Sequence, residues 1–416
     1  MKVLLILTTV LLLQLNLIAE DTTLVFRNTS YSEVFKLAKK EHKNVLLYFH
    51  FYGCGACLKM EKNAFADKQV ITFFDQNYIC LKLNTREGEG IEISKTYNVR
   101  INPAFIFLDE GGKILHRIVG VYQPDEFLAQ ARNAISPANS LSYSKEQYKK
   151  GNRDADFLFD YCYKLRDASE LDSLVVNEYL ETQSLNDLAK EKNLKFIYEF
   201  AIHRRQMYIA FDSRVYQFIK SNRELFSPFF DPVQVDTRLM YITQSEVYRS
   251  IKMKDEAAFY KALEVLKTYD TGQEYNFKEM NGGISMWINR RSLVLRAEMA
   301  FYETNGDIAG YNATLDSLLI KIWDDSEALN MFAWRYYQKY DDTSKIEKAV
   351  ECVKRSIELN SNYANNDTYA ALLYKQGKYE LAIKQAEKAI ELAKEENVDF
   401  GETSRLMQLI QEKQKK

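Results

Sequence analysis

Residues 45–57 read Val-Leu-Leu-Tyr-Phe-His-Phe-Tyr-Gly-Cys-Gly-Ala-Cys. An apolar run ends in two cysteines, Cys54 and Cys57, with two residues between them. The run predicts a strand covered on both faces, and the cysteines then fall where a helix begins. That placement activates a thiol. Disulfide exchange needs a thiolate, and a free cysteine with a pKa of about 8.5 is mostly protonated at neutral pH. At a helix N-terminus, unpaired N–H groups and the positive end of the dipole face the sulfur. An effect of about 0.3–2 kcal/mol corresponds to roughly 0.2–1.5 pK units. Cys57, one turn on, can close a disulfide with Cys54. The pair reads as a redox dithiol in which Cys54 attacks and Cys57 resolves.

Outward from this stretch, element types alternate. Thr22–Phe26 reads as a short strand, and Ser30-Tyr31-Ser32-Glu33 as a capping box opening a helix to about Glu41. A helix follows from about Gly55, and Asp67 can cap another through Phe74. Tyr78–Leu83 is a strand and Ile91–Tyr97 a helix. Ala104–Leu108 and Ile114–Val119 flank Glu110-Gly111-Gly112-Lys113, a hairpin turn. Pro124 opens a final helix. The expectation is a mixed sheet flanked by helices. Nearly half of the 15 glycines lie between Gly53 and Gly120, and only Pro228 and Pro232 of the five prolines follow Ala138. We therefore expect an α/β domain over 20–137, a helical domain over 138–325 and helical repeats over 326–416.

Met1–Ala19 has the form of a secretory signal: Lys2, an apolar Val3–Leu17 and the small Ala19. The apolar run is short of the roughly 20 residues that a spanning helix needs, which favours cleavage over the alternative of an uncleaved anchor. Export to a periplasm or beyond would let disulfides persist. With 46% hydrophobic and 27% charged residues the chain is an ordinary globular protein. Its net charge of −2 gives no whole-chain footprint for nucleic acid. Five cysteines are too few and too odd for a disulfide-stapled scaffold.

Near the C-terminus, Lys348–Asn360 aligns with Leu381–Ala393. Ala349 matches Ala382, Ser356 matches Ala389, and Ile357-Glu358-Leu359 matches Ile390-Glu391-Leu392. Ala370, Gly377 and Ala382 have the spacing of small residues in a tetratricopeptide helix pair, so Leu329–Glu396 resembles that repeat. Such arrays commonly present a concave peptide-binding face. This supports an alternative reading, a helical-repeat protein-binding module with a regulatory or silent dithiol. Trp334-Arg335-Tyr336-Tyr337 belongs either to such a face or, the better reading, to the core.

Other uses of the Cys54–Cys57 pair are weaker. Zinc would need a second ligand pair, but Cys80, Cys162 and Cys352 stand alone, so no metal is expected. A structural disulfide across so short a loop stabilises little. Copper would need a ligand set that His50 and Met60 do not complete. Cys80 and Cys162 sit among apolar residues and read as core. Cys352 aligns with Gln385 and is expected to be partly exposed.

The segment from about Asp21 to Ile135 resembles the thioredoxin fold, in particular the exported branch that includes the C-terminal domain of thiol:disulfide interchange proteins. Three stretches carry the resemblance: Cys54-Gly55-Ala56-Cys57-Leu58-Lys59-Met60-Glu61, Ala64-Phe65-Ala66-Asp67-Lys68-Gln69-Val70, and Tyr97-Asn98-Val99-Arg100-Ile101-Asn102-Pro103-Ala104-Phe105. Gly111-Gly112-Lys113 and Val119-Gly120 fit as well. The resemblance implies a cis Pro103 whose loop forms a substrate groove with Tyr52, Gly53 and Gly120, and an Asn102 that hydrogen-bonds a client backbone. It implies an exported thiol-disulfide oxidoreductase whose partners are protein thiols and disulfides, re-reduced or re-oxidised by a further redox protein. No cofactor beyond the Cys54–Cys57 disulfide is implied. Three positions depart from the pattern. Gly53 replaces a tryptophan, Ala104 a threonine, and Tyr48 the buried acid beneath the dithiol. Without that acid, proton transfer from Cys57 needs water or the distant Lys82, which reads better as a snorkelling side chain.

Overall fold

The strand that carries the dithiol is the second of four in its sheet. In the computed structural model, which describes residues 23–203, 206–277 and 286–414, β1 spans Asn44–His50 and is buried from Val45 onward. The expected signal, 1–19, lies outside the described residues. Helix α1 (Tyr31–Glu41) precedes β1, with the Ser30 hydroxyl accepting from the Glu33 N–H. After β1 come α2 (Gly55–Lys62), α3 (Lys68–Asn77, capped by Asp67), β2 (Tyr78–Asn84), α4 (Gly90–Thr96), β3 (Ala104–Leu108), β4 (Ile114–Val119) and α5 (Pro124–Ile135).

The sheet order is β2-β1-β3-β4, with β1 parallel to β2 and the other pairs antiparallel. Alternation along β1 builds two cores. Leu46 and Tyr48 join Cys80, Phe105 and Phe107 under α2, α3 and α5. Val45, Leu47 and Phe49 join Ile79, Ile106 and Leu108 under α1 and α4. Both faces of β1 are therefore covered, which is why its sequence is continuously apolar.

The expected first strand is reduced to a single parallel bridge, Phe26 with Cys80. The Leu24 N–H is spent on the Phe65 carbonyl, 2.7 Å away, so a ladder to β2 does not extend.

The chain divides into two compact units, Met1–Ile209 and Ala210–Lys416. The first continues past α5 with α6 (Leu141–Lys149), α7 (Ala155–Asp167), α8 (Ser173–Glu181), α9 (Leu185–Leu188), α10 (Glu191–Ala201) and the short β5 (Ile202–His203) and β6 (Gln206–Met207). Helices α6 and α7 pack on β4. The expected boundary at 137/138 thus falls inside this unit.

The second unit holds α11 (Arg214–Ser221), α12 (Pro232–Met253), α13 (Glu256–Lys267), strands β7 (Glu274–Phe277) and β8 (Met286–Asn289), and α14 (Leu293–Asn305). It continues with α15 (Ile308–Ile322), α16 (Ser326–Lys339), α17 (Thr343–Leu359), α18 (Tyr363–Lys375), α19 (Tyr379–Glu396) and α20 (Gly401–Gln414). Helices α16–α19 form successive packed pairs, and the small residues Ala333, Ala349, Ser356, Ala370, Ala382 and Ala389 are all fully buried between them. Cys352 is buried as well, against the expectation of partial exposure, because α17 packs against both α16 and α18. The aromatic cluster splits. Tyr336 enters the core, while Trp334 is exposed and stacks on Tyr337. Among the described residues no helix is long and apolar enough to cross a membrane.

Candidate active site

Beyond His50, the chain turns through Phe51–Gly53 into α2. Gly53 has φ +84°, a left-handed conformation that a side chain would strain. Cys54 is the N-cap of α2, and its Sγ accepts the Cys57 N–H at 3.1 Å. The thiol occupies the place a serine or aspartate usually takes at a helix start. Cys54 and Cys57 are joined by a disulfide with Cα atoms 5.2 Å apart. Both are buried, at 5% and 2% exposure, with Cys57 the deeper as expected.

Three loops meet at this end of the sheet. Phe49 pairs with Ala104, so the residue before it, Pro103, lies level with the end of β1. The Asn102–Pro103 bond is cis, as the resemblance implied. The Pro103 carbonyl accepts the Gly120 N–H at 2.9 Å, and Gly120 has φ +117°. The Tyr122 N–H reaches the Met60 sulfur of α2, 3.1 Å away. These bonds tie the 101–103 and 120–122 loops to the dithiol helix. Tyr52, Leu58, Ile101 and Val121 are exposed apolar side chains on these same loops and the first turn of α2. Asn102 donates weakly to Thr85 at 3.4 Å, and its buried Oδ1 has no partner in the structure.

Sequence reasoning missed Glu61. It follows Cys57 by four residues on α2, so the two share a helix face. Its Oε1 accepts from the Tyr48 hydroxyl at 3.1 Å and from Lys82 Nζ at 2.8 Å. Tyr48, whose ring lies in the same core as Cys57, holds its proton firmly because burial and then Glu61 push the phenol well above its ordinary range. Lys82 is thus an ion-pair partner of Glu61 whose side chain still reaches solvent, as a snorkelling lysine does. The signal in the sequence was the pairing of an acid at 61 with a lysine on β2, visible only once α2 and β2 are known to be neighbours. His50, stacked on Tyr48 and edge-on to Tyr52, is held neutral by burial and then by the charge of Lys82.

The other thiols are inert. Burial raises Cys80 and Cys162 far above the ordinary thiol value, and Cys352 is pushed up to about 12. Among the described residues no cluster of His, Cys, Asp or Glu could hold a metal ion.

No curated protein matches the sequence. Among solved structures, a putative disulphide-isomerase from Bacteroides thetaiotaomicron is 29% identical, covering 28% of this chain and 98% of its own, with a TM-score of 0.27. A thioredoxin from Thermus thermophilus is 24% identical, covering 28% and 89%, with a TM-score of 0.26. The family model for a thioredoxin-like domain matches residues 31–135. Residues 31–135 are therefore a thioredoxin-like domain, and its Cys54–Cys57 pair at disulfide distance supports thiol–disulfide oxidoreductase chemistry.

Proposed function

We propose that this chain is an exported thiol–disulfide oxidoreductase that reduces disulfides of envelope proteins. The observation that carries the reading is Cys54 as the N-cap of α2, with its sulfur already bonded to a helix N–H. In the reduced enzyme the Cys54 thiolate attacks one sulfur of a client disulfide, and the other sulfur leaves as a thiolate that takes up a proton. Cys57 then gives its proton to the Glu61 carboxylate and attacks Cys54. The client's second thiol is released, and Cys54 and Cys57 end oxidised. An upstream protein dithiol restores them. Tyr52, Gly53, Asn102, Pro103 and Gly120 form the client groove. The apolar rim of Tyr52, Leu58, Ile101 and Val121 supports clients that present an apolar segment beside their disulfide. The packed pairs α16–α17 and α18–α19 support a tetratricopeptide-like array that binds a protein or peptide partner.

Insulin-disulfide reduction tests the reading. The wild type should be active and Cys54→Ser inactive; equal rates would remove the enzyme reading. Cys57→Ser should accumulate mixed disulfides with envelope proteins through Cys54.

A further inference from the structure

In the second unit, α12, α14, α15 and α16 enclose a half-open cavity of about 160 Å³. Its wall is largely apolar, with Met299, Leu318, Ile322 and Phe332. Two arginines line it, Arg296 from α14 and Arg335 from α16, and so does Tyr248 from α12. Like charges placed together beside an apolar wall are costly. Burial and then Arg335 both press the Arg296 guanidinium toward its neutral form.

Asp270 and Asp325 offset part of this, but neither bonds either guanidinium. Asp325 is bonded to Arg291 at 2.7 Å, and Asp270 faces Lys321 at 3.5 Å. Glu303, on the cavity wall, is taken by Lys339, Lys345 and Tyr340. Among the described residues neither Arg296 nor Arg335 forms an ion pair or a side-chain hydrogen bond. Two unmatched cations at the lip of an apolar hole are the complement of an anion with a compact apolar body.

We propose that this cavity binds an organic carboxylate, the two arginines and Tyr248 holding the carboxylate and the apolar wall holding a group about the size of one amino-acid side chain. The volume sets the size, since a cavity of about 150 Å³ takes a benzene-sized group and no long acyl chain. The charge sets the rest of the ligand. A free amino acid would bring its ammonium group against Arg296 and Arg335, with Glu303 already engaged. The carboxylate therefore carries no cation beside it. Two sources meet this chemistry: a small arylalkyl acid, and the C-terminal residue of a polypeptide, whose nitrogen is an amide. Tyr248, Met331 and Arg335 are exposed at the mouth, so an upstream chain can leave to solvent.

Calorimetric titration of the full-length chain tests this with four probes: 3-phenylpropanoate, an acetylated pentapeptide ending in phenylalanine, the same peptide as its C-terminal amide, and inorganic phosphate. Saturable binding of the propanoate alone assigns a small-acid site, and tighter binding of the peptide acid assigns a chain-terminus site. Where the peptide acid binds, its amide should bind at least tenfold more weakly, because charge-assisted bonds to the arginines are lost. Arg335→Gln, at an exposed position that should not disturb folding, should weaken the acid at least tenfold with an unchanged unfolding midpoint. Arg296→Lys should weaken it less than Arg296→Gln. Binding of neither acid, equal binding of acid and amide, preference for phosphate, or an Arg335→Gln variant that binds like the wild type would each overturn the proposal.

Discussion

Acid should loosen the packing of α6 on the sheet, and His116 gives the size of the effect. His116 is 1% exposed on β4. Its Nε2 is 2.8 Å from Gln130 Oε1, and its Nδ1 accepts the Leu141 N–H at the start of α6, 3.0 Å away. Both nitrogens are thus used by the neutral ring, and a proton on Nδ1 would face a donor. Burial, and to a lesser extent Lys164, lowers the imidazole from 6.5 to about 4. At about 1.4 kcal/mol per pH unit, that gap amounts to about 3 kcal/mol. The folded value is depressed, so the unfolded chain binds the extra proton. The contribution is complete above about 6.5 and is lost as pH falls toward about 4. Between pH 7 and pH 5 the loss is about 2 kcal/mol. All three tryptophans lie beyond Ile209, so their fluorescence does not report on this unit. Hydrogen exchange read on β3 and β4 across a urea titration does. His116→Gln removes the titration, and its measured stability gap to the wild type should shrink by about 2 kcal/mol from pH 7 to pH 5. A gap that stays constant within about 0.5 kcal/mol, or widens, would refute the linkage, since other titrating groups cancel in the difference.

Glu61→Gln should slow insulin reduction about 100-fold, as expected for loss of a general base; single-turnover formation of the Cys54–Cys57 disulfide reads this directly, and an unchanged rate removes Glu61 from the mechanism. Mass spectrometry after native alkylation should find no iodoacetamide adduct on the oxidised chain and at most two after mild reduction, at Cys54 and Cys57, because Cys80, Cys162 and Cys352 are buried and protonated. Gly90→Ala would put a Cβ 2.1 Å from the Asn84 carbonyl oxygen, in backbone that cannot yield cheaply. It should cost about 1–3 kcal/mol in urea unfolding; a neutral variant would mean that α4 shifts freely.

What was legible in the sequence was what local chemistry decides. The bounds of β3 and β4 follow from the Gly-Gly hairpin, and the caps at Ser30 and Asp67 from side chains that satisfy nearby N–H groups. The position of Cys54 follows in the same way. The misses are non-local. Nothing in Thr22–Phe26 shows that the Leu24 N–H goes to Phe65 rather than to a strand. Cys352 looked half-exposed by analogy with Gln385, but α17 is covered on two sides where a single repeat unit would suggest one. His116 reads as a hairpin residue until Gln130 and Leu141 come to either side of it.

Glu61 shows why a departure at one position need not disable the site. A carboxylate at position 48 would lie on a fully buried strand, where desolvation favours its neutral form. Tyr48 puts a phenol there that stays protonated and donates, which shifts the negative charge to α2, at the edge of the core. Tyr48 and Lys82 both use Oε1 of Glu61, and in the proposed mechanism the second oxygen takes the proton from Cys57, one helical turn back on α2. Lys82 compensates the charge that Glu61 carries between turnovers, and its own approach to solvent gives the proton a way out. If this division of labour is right, Lys82→Met should impair turnover less than Glu61→Gln, because it removes a compensating charge and leaves the acceptor in place. A Lys82→Met variant slower than Glu61→Gln in the same single-turnover assay would assign the proton transfer to the lysine instead.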